Sequence, residues 1–272
     1  MPIYNIGDIV ARKSYGADMS FVISKITISE NRGEEYVLKG LEYRIQADAN
    51  ANDLIRLNPR VINLRKQRVF NALRRQTALS KLVYNPYAYS RLTRRPGKIL
   101  HIDASLQFLR DSMNYYRSRG LRPIGVFVDE PDQSKMVKSL LQQYQPDIVV
   151  LTGHDGIKKG SVEMNTFDSY KNSRYYANAI KEARSYEPNP ERLFIFAGAC
   201  QSYYEALMSA GASFASSPGR VMVHSFDPVI VSQRISTTDS KKMVTVREAV
   251  RGTASGSKGI GGMDSRGRLT WV

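Results

Sequence analysis

The fold is decided by two stretches, Asp147-Ile-Val-Val-Leu-Thr-Gly-His154 and Arg192-Leu-Phe-Ile-Phe-Ala-Gly-Ala-Cys200. Each is a short apolar run that stops at glycine, which is typical of a fully buried parallel strand. Neighbouring strands lie about 4.8 Å apart, so His154 and Cys200 would face each other across the carboxyl edge of one sheet. Open α/β sheets bind their ligands at that edge.

Cys200 is the only cysteine in the chain, which excludes an intramolecular disulfide and a thiolate cluster for zinc. Ser202 and Glu205 have the spacing of a capping box, which predicts a helix running to about Ala210 and ending at Gly211. A cysteine just ahead of a helix N-terminus is expected to have a lowered thiol pKa. The sequence therefore predicts a thiolate nucleophile.

His154 is the predicted general base or cationic partner of Cys200. The backbone amides of Gly153 or Gly156 and of Cys200 are candidates for the oxyanion site, because glycine lets the main chain approach a substrate closely. The sequence resembles the caspase and gingipain type of cysteine peptidase in three features: the histidine turn, the interval of about 46 residues from His154 to Cys200, and Ala-Cys-Gln around the cysteine. The alternative is an inert, buried cysteine at a strand end.

Composition fits a globular protein with one or two domains: 272 residues, of which 42% are hydrophobic. No apolar run approaches the about 18 residues of a membrane span, and the first residues do not resemble a secretory signal. The net charge of +15 predicts attraction to acidic partners. Binding of nucleic acid by this positive charge is the alternative to a catalytic function. No metal or cofactor motif is visible, so none is predicted.

Four regions are predicted. Short strands separated by turns that contain Gly, Asn and Asp suggest a small, SH3-like β-barrel over residues 1–57. Residues 58–97 form a basic helix and linker, and residues 98–251 form the α/β peptidase domain with a doubly wound parallel sheet. The Gly-rich residues 252–272 are expected to be a loop or tail.

The region from residue 58 to residue 97 has no acidic residue. Its apolar residues recur at helical intervals to about Leu82, which predicts a basic amphipathic helix. Three interpretations stay open for the Arg60–Arg95 region: a solvated linker face, a surface for an anionic partner, or a peptide that is itself cut after arginine. Self-processing near Arg94-Arg95 is a separate hypothesis. The basic residues are Arg60, Arg65, Lys66, Arg68, Arg74, Arg75, Lys81, Arg91, Arg94 and Arg95.

Within the α/β region, strands are predicted at residues 98–103, 123–128 and 220–226, and helices at 105–119, 131–144, 172–186 and 244–251. His101 is predicted to be a core histidine. His224 and Asp227 follow the last predicted strand, where Asp227 could orient an imidazole, bind a cation or cap the turn with Pro228. Asp155 is the second candidate for a cation pocket.

Five passages carry a resemblance to the YabG family of sporulation-specific cysteine peptidases. They are Ile6-Gly-Asp-Ile-Val-Ala-Arg-Lys-Ser-Tyr-Gly16, Pro146-Asp-Ile-Val-Val-Leu-Thr-Gly-His-Asp155, Phe196-Ala-Gly-Ala-Cys-Gln-Ser202, Gly211-Ala-Ser-Phe-Ala-Ser-Ser-Pro218 and Lys258-Gly-Ile-Gly-Gly262. The resemblance spans nearly the whole chain and retains His154 and Cys200.

The resemblance implies an endopeptidase that processes spore coat and cortex-associated precursor proteins and cuts after arginine or lysine. It also implies synthesis in the mother-cell cytoplasm and a place in the developing spore coat. A buried substrate guanidinium must be paired, so an acidic pocket is expected despite the basic chain. Asp155 and Asp227 are the two candidates. A non-catalytic basic scaffold and a hydrolase of other esters or amides remain the alternatives.

Overall fold

The computed structural model describes residues 4–29, 33–58, 60–65, 67 and 94–271. The N-terminal strands are β1 (Ile9–Arg12), β2 (Phe21–Ser29), β3 (Gly33–Gly40), β4 (Gln46–Asn50) and β5 (Leu54–Arg56). They form one antiparallel sheet in the order β4-β3-β2-β1-β5. The short strands predicted within residues 1–57 are present as this antiparallel sheet. Closure of the sheet into an SH3-like barrel and the boundary of the domain stay predictions.

A second sheet of six strands has the order β13-β11-β10-β9-β7-β8. The strands after β5 are β6 (Arg94–Arg95), β7 (Ile99–Asp103), β8 (Ile124–Phe127), β9 (Ile148–Thr152), β10 (Phe194–Ala197), β11 (Phe214–Ser216), β12 (Met243–Val244), β13 (Ile260–Gly262), β14 (Ser265–Arg266) and β15 (Thr270–Trp271). Only the edge strand β13 runs antiparallel within the described sheet. The predicted α/β class with a largely parallel sheet is confirmed.

Helices connect these strands and cover both faces of the sheet. They are α1 (Leu106–Ser118), α2 (Gln133–Tyr144), α3 (Ser173–Tyr186), α4 (Tyr204–Ser209), α5 (Asp227–Thr237), α6 (Val246–Ala249) and α7 (Gly256–Gly259). The first three agree with the predicted helices because each has an apolar face at helical spacing. Of the predicted helix over 244–251, only α6 is helical, and Thr245 caps it.

Side chains alternate between two apolar clusters, as the period of a strand requires. Along β9, Val150 packs on one side, together with Tyr36 and Leu38 of the N-terminal sheet. Val149 and Leu151 pack on the other side, against α2 and α3. The N-terminal sheet therefore shares a hydrophobic core with one face of the parallel sheet.

Three strand ends define the carboxyl edge of the parallel sheet, at β7, β9 and β10. Asp103 is paired in register with Thr152, and Leu151 with Ala197. His154 and Cys200 each come three positions after the paired residues Leu151 and Ala197. The predicted adjacency of the two strand ends is confirmed.

Two predictions about the C-terminal region are wrong. Residues 220–226 form no extended strand; His224 makes a single antiparallel bridge to Tyr43 instead. The Gly-rich segment expected to be a loop contributes the edge strand β13. Glycine is required there because a Cβ at Gly262 would come within 2.4 Å of the Phe214 ring.

Most of the basic region lies outside the described residues. Residues 60–65 are helical, in agreement with the start of the predicted helix. The rest of that helix, and most of the anionic-partner surface predicted for Arg60–Arg95, fall on residues that the structure does not describe. The dibasic pair Arg94-Arg95 forms β6 and pairs with β15, and the Arg94 guanidinium lies 4.5 Å from the Trp271 ring centre.

Candidate active site

His154 follows β9 and is almost completely buried, with 2% of its surface exposed. Its backbone N–H donates to Glu130 Oε1 at 2.8 Å, and its ring Nε2 lies 3.2 Å from the carbonyl oxygen of Gly40. Because a carbonyl can only accept, Nε2 carries a proton in this arrangement. Nδ1 has no hydrogen-bond partner among the described residues and lies 3.8 Å from Glu130 Oε1.

The turn before His154 needs its glycine. A Cβ at Gly153 would come within 2.6 Å of Glu130 Oε1 and within 2.8 Å of both Ala104 and Tyr176. Burial opposes ionisation of Glu130, but the hydrogen bond with His154 and the charge of Lys39 outweigh it and lower the Glu130 pKa. The carboxylate thus holds the histidine turn against the N-terminal sheet.

Cys200 follows β10 and is fully buried. Its sulfur accepts from the Val223 N–H at 3.0 Å and lies 3.4 Å from the Val223 carbonyl oxygen. Burial raises the pKa of the thiol to about 12, so the expectation of a lowered pKa is wrong for this closed arrangement. Sulfur and imidazole contact different groups in the described structure, and a direct contact between His154 and Cys200 stays a prediction.

The predicted capping box is also wrong. Ser202 Oγ accepts from the Ala199 N–H at 3.0 Å and donates to Asp155 Oδ2 at 2.8 Å, so it is not available to cap α4. Helix α4 begins after Tyr203 without a side-chain cap and has six residues. A capped helix therefore does not supply the expected stabilisation of a thiolate.

The chain between β3 and β4, called here the hairpin connection (residues 41–45), lies over the two strand ends. The Arg44 N–H donates to the Val223 carbonyl at 3.3 Å. The Arg44 carbonyl oxygen accepts from the N–H of Cys200 at 3.2 Å and from that of Asp155 at 3.1 Å. Two backbone donors thus converge on one carbonyl beside the cysteine.

The Arg44 side chain is completely buried and fills a pocket between the strand ends. Its Nη1 lies 2.8 Å from Asp103 Oδ2, and Nε and Nη2 donate to the Ser225 carbonyl at 3.3 and 3.1 Å. Nη1 also donates to the Gly153 carbonyl at 3.4 Å, and the guanidinium lies 4.8 Å from the Phe108 ring centre. The pocket therefore satisfies a planar cation with one carboxylate, two carbonyls and an aromatic face.

Asp103 ends β7 and is held in place by its neighbours. Thr152 Oγ1 donates to its carboxylate at 3.0 Å, and His101 Nε2 lies 3.3 Å from it. Burial opposes ionisation, but the positive charge of Arg44 and hydrogen bonds from His101 and Arg44 outweigh it and lower the pKa of Asp103. The prediction that His101 is a satisfied core histidine is confirmed, because its Nδ1 lies 3.3 Å from the Tyr116 hydroxyl.

The two predicted pocket carboxylates have neutral partners. Asp155 accepts from the backbone amides of Gly156 and Asn172 and from two serine hydroxyls, and burial raises its pKa to about 6. Asp227 begins α5 and accepts from the Ala254 and Ser255 amides at 2.7 and 3.0 Å, and burial raises its pKa. Both serve as hydrogen-bond acceptors for main chain that turns at this edge.

The predicted oxyanion glycines are engaged differently from expectation. The Gly156 N–H donates to Asp155 Oδ1, and the Gly153 carbonyl accepts from Arg44. The Asp155 amide donates to the Arg44 carbonyl beside that of Cys200, and an oxyanion role for Gly153 or Gly156 stays a prediction. Sequence reasoning did not single out Asp103, although its position at the end of a strand next to β9 is a usable signal. No signal in the sequence pointed to Arg44, which lies about 110 residues before His154.

No helix in the described part of the chain is long and apolar enough to cross a membrane. Among residues 4–29, 33–58, 60–65, 67 and 94–271, no group of three His, Cys, Asp or Glu side chains could hold a metal ion.

A family model described as YabG peptidase U57 matches residues 5–272 of this chain. The chain is 35% identical over 279 residues to the protein named sporulation-specific protease YabG from Bacillus subtilis (strain 168). That alignment covers 98% of this chain and 96% of the relative. No solved structure matches the chain.

Proposed function

The chain belongs to the YabG peptidase U57 family, and on that premise we propose that it is a cysteine endopeptidase with Cys200 as nucleophile and His154 as its proton-transfer partner. The name of the Bacillus relative supports a role in sporulation. The proposed substrates are precursors of spore coat and cortex-associated proteins, cut after arginine or lysine. The proposed place of action is the mother cell and the developing spore coat.

One observation carries the proposal: Arg44 is bound as the residue before a cleaved bond would be bound. Its carbonyl oxygen accepts from the amides of Cys200 and Asp155, and its side chain fills a buried, charged pocket. Preorganised donors aimed at a carbonyl oxygen are the usual means of stabilising the anion that forms when a nucleophile attacks.

His154 has the features of a proton carrier. Its Nε2–H donates to the Gly40 carbonyl, which leaves the lone pair of Nδ1 to accept a proton. The Glu130 carboxylate holds the histidine backbone in place. In the proposed reaction the imidazole takes the thiol proton and later gives it to the departing amine.

We assign the cation pocket to Asp103 in preference to Asp155 and Asp227. Asp103 contacts a guanidinium directly, and this contact keeps its pKa low. Asp155 and Asp227 accept from neutral donors, and their pKa values are raised. A carboxylate that must pair with a buried arginine has to be ionised when the substrate binds.

The proposed reaction transfers the acyl group of the substrate first to the cysteine sulfur and then to water. Cys200 Sγ bonds to the carbonyl carbon of the substrate arginine, and the bond from that carbon to the next residue's nitrogen breaks. The nitrogen leaves with the proton that His154 took from the thiol. Water then attacks the thioester, which releases a carboxylate and restores the thiol.

The test uses three peptides that differ only in having Arg, Lys or Gln before the cut bond. The purified chain is expected to cleave the Arg and Lys peptides, and Cys200→Ala and His154→Ala are each expected to abolish cleavage. Circular dichroism checks that both variants are folded. Retained turnover in a folded Cys200→Ala variant would reject the cysteine mechanism.

A second variant tests the pocket. Asp103→Asn is expected to lower kcat/KM for the Arg peptide by roughly 30-fold or more, because the buried guanidinium would lose its anionic partner. Asp168→Asn is the matched control, since Asp168 is an exposed carboxylate that pairs with Arg174 at the surface. Equal losses in both variants would contradict the assignment of the pocket to Asp103.

A further inference from the structure

We infer that the hairpin connection is an intramolecular substrate and that the protein cuts its own peptide bond between Arg44 and Ile45. The inference rests on the proposed cysteine peptidase activity and adds a specific bond to it. It differs from the hypothesis of self-processing at Arg94-Arg95, a pair that forms β6 in the described structure.

The backbone on both sides of this bond is held as an added strand. Before the bond, the Arg44 N–H donates to the Val223 carbonyl, and Tyr43 pairs antiparallel with His224. After the bond, Ile45 pairs with Asp155, and the Gln46 N–H donates to the Asp155 carbonyl at 2.7 Å. Extended peptides bind to proteins through this kind of main-chain pairing, while side-chain pockets give specificity.

The burial of Arg44 is unusual for the connection of a hairpin. Such segments normally lie at the surface, and an arginine there would keep its head group in water. Here the guanidinium is completely buried and paired with Asp103 from the other sheet. Since a buried ion pair contributes little net stability compared with apolar packing, the geometry fits recognition better than stabilisation.

Two backbone donors of the proposed site contact the carbonyl of this bond. The amides of Cys200 and Asp155 hold the carbonyl oxygen, and the cysteine that provides the first amide also carries the sulfur. His154 is linked to the residue after the bond through Gly40: its Nε2 contacts the Gly40 carbonyl, and the Gly40 N–H donates to the Ile45 carbonyl at 2.9 Å. The leaving nitrogen belongs to Ile45.

In this self-cleavage the same bonds form and break as in cleavage of a separate peptide. Cys200 Sγ bonds to the Arg44 carbonyl carbon, the bond to the Ile45 nitrogen breaks, and that nitrogen takes the thiol proton through His154. Water from the solvent hydrolyses the thioester and leaves a carboxylate on Arg44. The thiol is protonated at neutral pH in this closed arrangement, so the cut is expected to be slow.

The two pieces are expected to stay together under native conditions. Strands β3 and β4 flank the bond and remain paired, with Lys39 opposite Gln46 and Leu38 opposite Ala47. Detection therefore requires denaturing conditions. Intact mass measurement and N-terminal sequencing would identify residues 1–44 and a second piece that begins at Ile45.

The experiment compares the full-length wild type with Cys200→Ala, Arg44→Gln, Arg44→Lys and Arg56→Gln. Arg56 is the matched control, an arginine of the same sheet whose side chain is 59% exposed. Wild type and Arg56→Gln are expected to yield the new Ile45 terminus at equal rates, and Cys200→Ala is expected to stay whole. Arg44→Gln is expected to be slower by roughly 30-fold or more, and Arg44→Lys to be cut at the same bond.

Two further measurements keep the inference falsifiable if Arg44→Gln does not fold. The wild-type rate is expected to be independent of protein concentration, because the reaction occurs within one chain. A tagged Cys200→Ala chain mixed with wild type is expected to remain whole. Cutting of the tagged chain at this bond would reject an intramolecular reaction.

A parallel assay with the Arg peptide separates the two proposals. If wild type cleaves the peptide while its own bond from Arg44 to Ile45 stays intact, the inference is overturned and the proposed function stands; the connection would then only block the site. Cutting at Arg94-Arg95 alone would likewise overturn the inference and leave the proposed function standing. If neither the peptide nor the chain is cut, both proposals fail.

Discussion

Asp103 and Asp155 are fully buried carboxylates at one edge of the same sheet, and their surroundings have opposite effects. Asp103 pairs with a guanidinium, so its pKa is lowered despite burial. Asp155 accepts only from neutral donors among its described partners, and burial raises its pKa to about 6. A position at the ligand-binding edge therefore does not identify a cation pocket, because the neighbouring charge decides what a buried carboxylate can bind.

The largest effect is expected from removing the charge of Asp103. Asp103→Asn leaves the Arg44 guanidinium buried without this carboxylate, which is expected to lower the free energy of unfolding by about 3 to 5 kcal/mol. Chemical denaturation at neutral pH measures the change. A loss below about 1 kcal/mol would mean that the pocket relaxes and admits water, and the contrast with Asp155 would not hold.

His224 is a buried base whose pKa is affected by the charge of Arg44. Burial, followed by the charge of Arg44, lowers the His224 pKa from 6.5 to about 4. The folded state therefore binds the proton more weakly than the unfolded state, and stability from this group is lost as pH falls from about 6.5 to about 4. The loss is about 3 kcal/mol by the usual conversion.

Replacing His224 with glutamine is expected to remove that loss. The measurement is the free energy of unfolding of wild type and His224→Gln at several pH values within this window. Wild type should lose stability relative to His224→Gln as pH falls through this window. A constant difference would show that protonation of His224 is not linked to unfolding.

Asp155 is expected to give the opposite dependence. Its folded-state pKa of about 6 lies above the ordinary value of 3.8, so the folded state holds the proton more tightly. Its contribution is present below about pH 4 and is lost as pH rises through about 6, by up to about 3 kcal/mol. Wild type should therefore lose stability relative to Asp155→Asn as pH rises, and denaturation at about pH 4 and pH 7 measures it.

The smallest effect is expected at the surface. Asp168 and Arg174 form an ion pair with side chains that are 83% and 55% exposed. Asp168→Asn is expected to change the free energy of unfolding by less than about 0.5 kcal/mol, because water and salt screen exposed pairs. A loss as large as that of Asp103→Asn would remove burial as the explanation of the contrast.

The parts that could be predicted from the sequence depend on local patterns. Strands β9 and β10 are continuous apolar runs that end in glycine, and α1 to α3 have apolar faces at helical spacing. Neighbouring parallel strands then bring His154 and Cys200 to one edge. Periodicity within about 15 residues is enough for these assignments.

The failures involve partners that are distant in sequence. Ser202 has the spacing of a capping residue, but its hydroxyl donates to Asp155, 47 positions earlier. The run at 220–226 has the composition of a strand, but Val223 pairs with the hairpin connection and with the cysteine. In each case a tertiary hydrogen bond competes with the local one, and no local pattern reports it.

The sequence alone determined the alternation of strands and helices and the delivery of a histidine and a cysteine to one sheet edge, because these follow from short-range periodicity. The pairing of Asp103 with a cation, the neutral partners of Asp155 and the position of Arg44 in the cleft become visible only in the folded chain. Pairing of buried charges depends on which distant segments meet at a site of low dielectric constant.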